Sequence, residues 1–90
     1  MPFCTIVEFE WGENLDRERF ERMAGRTNDS APDGRLARIT GIDDTCARVV
    51  EVWRSGDDAR AFAEQTMAVT GQMPAPARVV GFEVTSYTLA

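Results

Sequence analysis

The alternation of two hydrophobic periods along the chain constrains its fold most strongly. Four segments alternate apolar and polar side chains with a period of two, as strands do; they span residues 3–10, 35–40, 47–53 and 78–89. Two segments between them repeat apolar residues every three or four positions, as helices do. Asn14 and Gly25 bound the first helix, and Ser55 with Asp58 resembles a capping box at the start of the second.

The resulting order β-α-β-β-α-β predicts an α+β fold of ferredoxin-like type. Right-handed crossovers give an antiparallel sheet of strand order 4-1-3-2 with both helices on one face. No other element of the chain is left to cover the opposite face, so we expect a homodimer that closes a dimeric α/β barrel. Ninety residues fit one domain, and we expect residues 1–90 to form a single dimeric α/β-barrel domain.

Charge and composition exclude several classes of function. The net charge of −5 argues against nucleic acid and membrane as partners, because anionic surfaces attract a basic face. All ten basic residues are Arg, and the chain has neither Lys nor His. Lysine Schiff bases, imidazole acid–base chemistry and His-ligated haem or zinc are therefore excluded. We expect neither a cofactor nor a metal.

Two cysteines, Cys4 and Cys46, are too few for a disulfide scaffold or a Cys-rich zinc site. The predicted topology places them at opposite ends of adjacent strands, about 20 Å apart at about 3.3 Å per residue. No disulfide spans that distance, and we expect buried, unreactive thiols.

The cellular location is expected to be the cytoplasm by default. Residues 1–4 show no basic start followed by an apolar stretch of the signal-peptide kind. No apolar run approaches the roughly 18 residues of a membrane span.

The two faces of the predicted sheet differ in character. The apolar sets that we assign to the helix face are Phe3, Val7, Phe9, Ala37, Ile39, Val50, Val52, Val80, Phe82 and Val84. The opposite face then mixes apolar groups with charged and aromatic ones, namely Glu8, Arg38, Glu51, Trp53, Glu83 and Tyr87. Such a mixture is typical of a small-molecule pocket inside a barrel. The alternative is a flat surface on which Arg38 pairs with Glu51 or Glu8 across strands.

These residues suggest roles in a catalytic site. A buried carboxylate has a raised pKa unless a cation pairs with it, so Glu8 or Glu51 is a candidate proton carrier. Tyr87 is a candidate catalytic hydrogen-bond donor. Trp53, Arg38 and Glu83 are candidate substrate-binding residues, with Trp53 stacking on a ring and Arg38 holding an oxyanion or carboxylate. The alternative for Trp53 and Tyr87 is packing in the core or at a dimer contact.

Short motifs across the chain resemble the dimeric α/β-barrel superfamily. The segments that carry the resemblance are 9–12 (FEWG), 34–38 (GRLAR), 48–55 (RVVEVWRS), 61–62 (AF) and 82–84 (FEV). In particular, the chain is similar to small actinobacterial proteins related to antibiotic-biosynthesis monooxygenases. The resemblance implies a homodimer of ferredoxin-like protomers, with a pocket between each sheet and its helices or inside the barrel.

Members of this superfamily include cofactor-free oxygenases of polyketide aromatics, haem-degrading monooxygenases, polyketide cyclases and isomerases. Trp53 matches a pocket Trp of the oxygenase branches, whose first-strand Asn is replaced here by Glu8 or a neighbour. The helical His of the haem degraders has no counterpart in 61–63, nor does a fourth-strand His near Thr85 and Ser86.

The leading hypothesis is a small-molecule enzyme of secondary metabolism. It would be a polyketide-type cyclase or isomerase, or a cofactor-independent monooxygenase, acting on a hydrophobic ring substrate. A second hypothesis is a non-catalytic ligand-binding or structural homodimer, and a third is a ferredoxin-like regulatory module.

Overall fold

Four strands and two helices follow one another in the predicted order. The computed structural model describes residues 1–13, 15–28, 32–69, 75–86 and 88. Their elements are β1 (Phe3–Glu10), α1 (Arg17–Asn28), β2 (Arg35–Ile42), β3 (Cys46–Trp53), α2 (Gly56–Val69) and β4 (Arg78–Glu83). The sheet runs β2-β3-β1-β4 and every neighbouring pair is antiparallel, which is the predicted order read from its other edge. The α+β ferredoxin-like architecture is therefore confirmed.

Local hydrogen bonds explain where the two helices begin. A short bridge between Gly12 and Leu15 turns the chain after β1, so that α1 begins at Arg17. The carboxylate of Asp16 caps the helix by accepting the Arg19 N–H at 2.8 Å, whereas the predicted cap, Asn14, lies outside the described residues. α1 also continues past Gly25 to Asn28.

The N-cap at Ser55 is confirmed, and its partner Asp58 contacts the hydroxyl rather than the backbone N–H of a capping box. The hydroxyl oxygen of Ser55 accepts the Asp58 N–H at 3.2 Å, and the hydroxyl donates to the Asp58 carboxylate at 3.1 Å. The short Asp side chain thus meets the hydroxyl, where the longer Glu of a standard box reaches the backbone.

β4 is shorter than predicted because its partner strand ends. Glu83 stands opposite Phe3, the first residue of β1. Beyond it, the Val84 N–H donates to the Pro2 carbonyl at 2.9 Å, and Pro2 has no N–H to continue the ladder. The pattern over 84–89 therefore does not extend the strand through its described residues.

The helices cover the two ends of the same sheet face. A cluster under α1 forms the main core; its members are Phe9, Leu15, Phe20, Ala47 and Val49, with Val7, Trp11 and Met23 packed against it. At the other end α2 packs on Trp53, whose ring centroid lies 5.0 Å from that of Phe62. Gly56, at the start of α2, lies against the ring of Phe3.

Strand pairing corrects the predicted assignment of faces. Residues directly opposite each other in a sheet share a face, and Phe3 stands between Trp53 and Glu83 while Thr5 stands between Glu51 and Gly81. Phe3, Val7 and Phe9 face the helices as predicted. The prediction is wrong for the other strands, whose residues Ala37, Ile39, Val50, Val52, Val80 and Phe82 lie on the opposite face. Both residue sets of β3 and β4 contain apolar side chains, so polarity within one strand does not distinguish its faces.

We call the surface turned away from the helices the open face. Two apolar rows cross it from strand to strand, Ala37–Val52–Cys4–Phe82 and Ile39–Val50–Ile6–Val80, followed by a charged row of Arg48, Glu8 and Arg78. Ile39 is 65% exposed and Phe82 is 45% exposed. A large apolar surface of this kind is typical of a protein–protein contact.

The loop between β2 and β3 is fastened by Asp43. Its carboxylate accepts the N–H groups of Thr45 at 2.7 Å and Cys46 at 2.9 Å, and it also pairs with Arg48. The indole N–H of Trp11 donates to the Asp43 carbonyl at 2.8 Å, which ties the loop to the end of β1.

No helix in the described part of the chain is long and apolar enough to cross a membrane.

Candidate functional site

A polar row crosses the helix face between the parts that α1 and α2 cover. It contains Arg38 on β2, Glu51 on β3, Thr5 on β1 and Gly81 on β4, each opposite the next. We call these four residues the central row. The next row toward α2 contains Arg35, Trp53, Phe3 and Glu83. Charged and polar side chains thus lie between the apolar parts of the helix face that α1 and α2 cover.

A buried ion pair lies at the centre of this region. Arg35 Nη1 donates to Glu51 Oε2 at 3.2 Å, and the two side chains are 8% and 9% exposed. Among the described residues, Glu51 is the charged residue that is buried as a whole. A charge at this depth is costly unless it is paired and hydrogen-bonded, and the Arg35 guanidinium provides both for Glu51.

A β-bulge directs both arginines of β2 to the helix side. Arg35 stands opposite Trp53 and Ala37 opposite Val52, so one extra residue, the exposed Leu36, is inserted between them. In a regular strand, side chains three positions apart point to opposite faces. The bulge cancels that offset, and Arg35 and Arg38 therefore share a face.

Arg38 extends from the central row to α1. Its Nη1 donates to the carbonyl of Ala24 at 3.4 Å. Burial lowers the pKa of Arg38, while the nearby Glu51 charge raises it and the Arg35 charge lowers it further. The guanidinium remains protonated at neutral pH because arginine is not deprotonated in proteins.

Trp53 is the most deeply buried large side chain of the site. It is 1% exposed and packs on Phe62 of α2. Its indole Nε1 has no hydrogen-bond partner among the described residues. Buried indole N–H groups usually find an acceptor, so this donor needs an explanation.

The structure brings together only part of the predicted site. The sequence places Arg38, Glu51, Trp53 and Glu83 on the face away from the helices; this prediction is wrong, because the register puts all four on the helix face. Glu8 lies on the open face as predicted, where its Oε1 accepts a hydrogen bond from Arg48 Nε at 3.3 Å, and it is therefore separated from Glu51. Of the two carboxylates considered as partners of Arg38, Glu51 stands opposite it and Glu8 does not. Tyr87 lies outside the described residues.

Arg35 is the residue that the sequence interpretation missed. Strict alternation along β2 places it with Ala37 and Ile39, away from Arg38. The only signal in the sequence is the crowding of two arginines within four residues of one strand, and that does not reveal a bulge.

The cysteines do not contribute to this site. Cys4 and Cys46 are both buried and unlinked, and both belong to the open face, with Cys4 opposite Val52 and Cys46 opposite Glu10. Burial raises the pKa of the Cys4 thiol, which keeps it protonated and unreactive at neutral pH.

The described residues do not suit a haem or a metal. Haem iron is held by His, Cys, Met or Tyr; the chain has no His, its cysteines face away from the helices, and Met23 packs against the core cluster under α1. Within the described residues, no three His, Cys, Asp or Glu side chains come together as a metal site would require. We therefore assign no step to either group.

Four antiparallel strands with two helices on one face make up a ferredoxin-like fold. A solved structure from Chloroflexus aurantiacus, named as an antibiotic biosynthesis monooxygenase, matches with a TM-score of 0.71 at 14% identity, and the match covers 100% of both chains.

Two other solved structures share the fold. MupZ from Pseudomonas fluorescens matches with a TM-score of 0.74 at 15% identity, over 89% of this chain and 66% of MupZ. A heme-degrading protein from Mycobacterium tuberculosis matches with a TM-score of 0.68 at 23% identity, over 100% of this chain and 98% of that protein. Similarity at this level establishes the fold alone. No protein-family profile and no curated protein match the chain.

Proposed function

We propose that this chain is a small-molecule enzyme whose active site is the central row together with Arg35 and Trp53. The observation that carries the proposal is the buried Arg35–Glu51 pair, placed beside Trp53 in an apolar layer between sheet and helices. Enclosed sites with apolar walls and a few polar groups are typical of small-molecule enzymes. Fold alone does not determine function, but the names of two neighbours, a monooxygenase and a heme-degrading protein, agree with small-molecule chemistry.

The reaction we propose is a polyketide-type cyclisation or isomerisation, or a cofactor-independent oxidation, of a hydrophobic ring substrate. Glu51 accepts a proton from a ring carbon next to a carbonyl, and the bond's electron pair remains as an enolate. Returning the proton to another carbon completes an isomerisation. In an oxidation, O2 adds to the enolate carbon and takes up its two electrons, and Glu51 returns its proton to the resulting peroxide. Loss of the remaining C–H proton then breaks the O–O bond, which releases water and leaves a carbonyl. Arg35 holds the Oε2 side of the carboxylate, and we assign the substrate proton to Oε1.

Proton abstraction is testable before the substrate is known. We expect the protein to accelerate solvent deuterium exchange at C1 of 2-tetralone, an enolisable ring ketone, as followed by proton NMR. Glu51→Gln should lower this acceleration roughly 100-fold or more, which is the usual size of a general-base effect. Gln can still accept the Arg35 hydrogen bond but leaves the arginine charge unpaired, so the variant should be less stable than the wild type. Circular dichroism would verify that it is folded under the assay conditions.

Glu8→Gln is the matched control, because Glu8 lies on the other side of the sheet. It should exchange deuterium like the wild type. Exchange no faster than in buffer, or equal rates for wild type and Glu51→Gln, would refute the role of Glu51 as the base.

We further propose a homodimer in which two copies pack open face to open face. The two apolar rows on this face include the exposed Ile39 and Phe82, and a second copy would cover them. Phe82→Glu should shift the mass measured by light scattering from dimer to monomer. Val79→Glu changes a residue on the same strand that faces the helix side and is also exposed, so it should remain dimeric. A monomeric wild type would contradict the proposal.

A non-catalytic dimer remains the second candidate. The burial of Trp53 against Phe62 favours it, because a filled layer leaves the indole as packing. Equal rates of tetralone exchange in buffer and protein, together with a dimeric mass, would support this candidate.

A further inference from the structure

We propose that Thr5 is a catalytic residue of this site, whose hydroxyl donates a hydrogen bond to the carbonyl oxygen of the substrate while Glu51 removes the neighbouring proton. The inference rests on the proposed function in one respect, namely that Glu51 is the base at a carbon next to a carbonyl. It goes further by naming the group that stabilises the negative charge formed in that step. The substrate is then a neutral ketone, recognised through its oxygen.

Thr5 stands directly beside Glu51 in the sheet. Within the central row it lies opposite Glu51 of β3 on one side and opposite Gly81 of β4 on the other. Directly opposite residues have Cβ atoms about 4.5–5.5 Å apart, and the hydroxyl oxygen of threonine is bonded to Cβ itself. In a ketone, the carbon that loses the proton is bonded to the carbonyl carbon. One small ketone can therefore contact both side chains at once.

The strand holds the Thr5 hydroxyl in place. Thr5 lies within β1, which is paired with a strand on each side at this position. A β-branched side chain has few χ1 rotamers, so the direction of its oxygen is restricted. Such a donor needs little reorganisation when charge develops next to it, and fixed donors of this kind lower reaction barriers most effectively.

Packing alone does not explain a hydroxyl at this position. The other helix-side residues of β1 are the apolar Phe3, Val7 and Phe9, and valine has almost the same shape as threonine. Thr5 is half-buried, and no side-chain hydrogen bond in the described part of the chain involves it. A hydroxyl partly withdrawn from water loses free energy unless it finds a partner, which a ligand oxygen would provide.

The β4 edge of the helix face leaves this hydroxyl accessible. Gly81, opposite Thr5, is exposed and has no side chain to cover it. Val79, on the same face of the same strand, is 62% exposed. The ring of Phe3 borders the opening, since a Cβ at Gly81 would lie 3.0 Å from two of its carbon atoms. A flat ring ketone thus finds an apolar approach to the hydroxyl.

The chemical step balances without a further reactant. Glu51 takes the proton, the electron pair of the C–H bond forms a C=C bond, and the carbonyl electrons move to the oxygen. Thr5 keeps its own proton and donates the hydrogen bond to this enolate oxygen. The bond strengthens during the step, because the oxygen becomes more negative. Arg35 already donates to Glu51 and Arg38 to the Ala24 carbonyl of α1, so we assign the role to the hydroxyl.

Thr5→Val tests the role, because it keeps the β-branched shape and removes the hydroxyl. Tetralone exchange would be measured over a range of ketone concentrations. We expect kcat to fall at least about tenfold and KM to change less than about threefold, since the lost bond acts mainly in the transition state. Thr5→Ser keeps a hydroxyl on Cβ and should retain most of the wild-type kcat.

Thr40→Val serves as the control for the substitution itself. Thr40 is exposed on the same face of the sheet, one row closer to α1 and opposite Val49. This variant should exchange deuterium like the wild type. Circular dichroism verifies that each variant is folded. If Thr5→Val does not fold, Thr5→Ala and Thr5→Ser provide a second pair that differs by one hydroxyl, and the same loss of kcat is expected between them.

The outcomes separate this inference from the proposed function. Wild-type exchange above the buffer rate, with kcat unchanged in Thr5→Val, overturns the role of Thr5 and leaves Glu51 as the base. A higher KM at unchanged kcat also overturns it, because the hydroxyl then binds ketone and transition state equally. Equal losses in Thr5→Val and Thr40→Val would show an effect on packing and overturn it as well. A wild type that does not accelerate exchange refutes both the base and its donor.

Discussion

Removing Arg35 should destabilise the protein far more than removing a surface arginine. In Arg35→Met the Glu51 carboxylate stays buried and loses its hydrogen-bonded cation, whose nitrogen lies 3.2 Å away. Breaking a buried pair from one side usually costs about 3–5 kcal/mol. Arg38 stands opposite Glu51 and attracts it electrostatically, so the loss should lie at the low end, about 3 kcal/mol.

A loss of this size is a large part of the 5–15 kcal/mol by which typical domains are stable. For a chain of 90 residues it corresponds to a Tm lower by about 12–24 °C, at roughly 4–8 °C per kcal/mol. Urea unfolding followed by circular dichroism gives the change in free energy, and calorimetry gives Tm. Both need one fixed protein concentration, because dimerisation makes stability concentration-dependent.

Two variants make the reasoning refutable. Arg17→Met removes an ion pair of the same type, Arg17–Glu21, whose side chains are 71% and 61% exposed; it should change stability by less than about 0.5 kcal/mol. The double variant Arg35→Met with Glu51→Leu removes both charges and should recover most of the loss. If the free energy of unfolding of Arg35→Met lies within about 1 kcal/mol of the wild-type value, the pair is not buried in solution as the structure describes.

Two further changes have expected outcomes. Gly34 has a φ of 86°, and a Cβ there would lie 2.5 Å from the Asp58 carboxyl group. Gly34→Ala should therefore lower the free energy of unfolding, measured in urea, by roughly 2 kcal/mol or more. Gly12→Ala is the control, because a Cβ at Gly12 meets no atom within 4 Å. Hydrogen bonds from Arg48 and the Thr45 N–H hold the pKa of Asp43 well below its usual range. Asp43→Asn should therefore have a lower free energy of unfolding than the wild type at pH 7. Below about pH 4 this difference should shrink, because Asp43 binds a proton in the unfolded chain and the stability gained from its ionised form is lost. Equal differences in free energy of unfolding at pH 7 and pH 3 would contradict this reasoning.

The sequence predicts the fold well because periodicity and capping act locally. The alternation over 3–10 coincides with β1, and the Ser55–Asp58 pair starts α2 as expected. Strand order follows from the order of elements and the handedness of crossovers. The end of β4 was not predictable from its own pattern, because it depends on where β1 begins.

The candidate site was predicted only in part, because its composition depends on pairing between strands. Glu51 and Trp53 are two positions apart on β3, so alternation places them together regardless of register. Whether Glu8 joins them depends on how β1 aligns with β3, and the pairing of Glu8 with Arg48 separates them. Each face of β3 offers apolar side chains, since one face meets the helices and we propose that the other meets a second copy.

The bulge at Leu36 links the two proposals for the sheet. Without it, alternation would place Arg35 beside Ala37 and Ile39 on the open face. A guanidinium next to the two apolar rows would have to be desolvated when a second sheet packs there, and it would oppose dimerisation. The inserted residue removes that charge from the proposed dimer contact and provides Glu51 with its partner on the helix side. Deleting Leu36 would leave Arg35, Ala37 and Arg38 in regular alternation opposite Trp53, Val52 and Glu51, so Arg35 should stay on the helix side. Both the dimer and tetralone exchange should therefore be preserved in the deletion variant, as in Leu36→Ala. Loss of the dimer in the deletion variant would refute this account of the bulge.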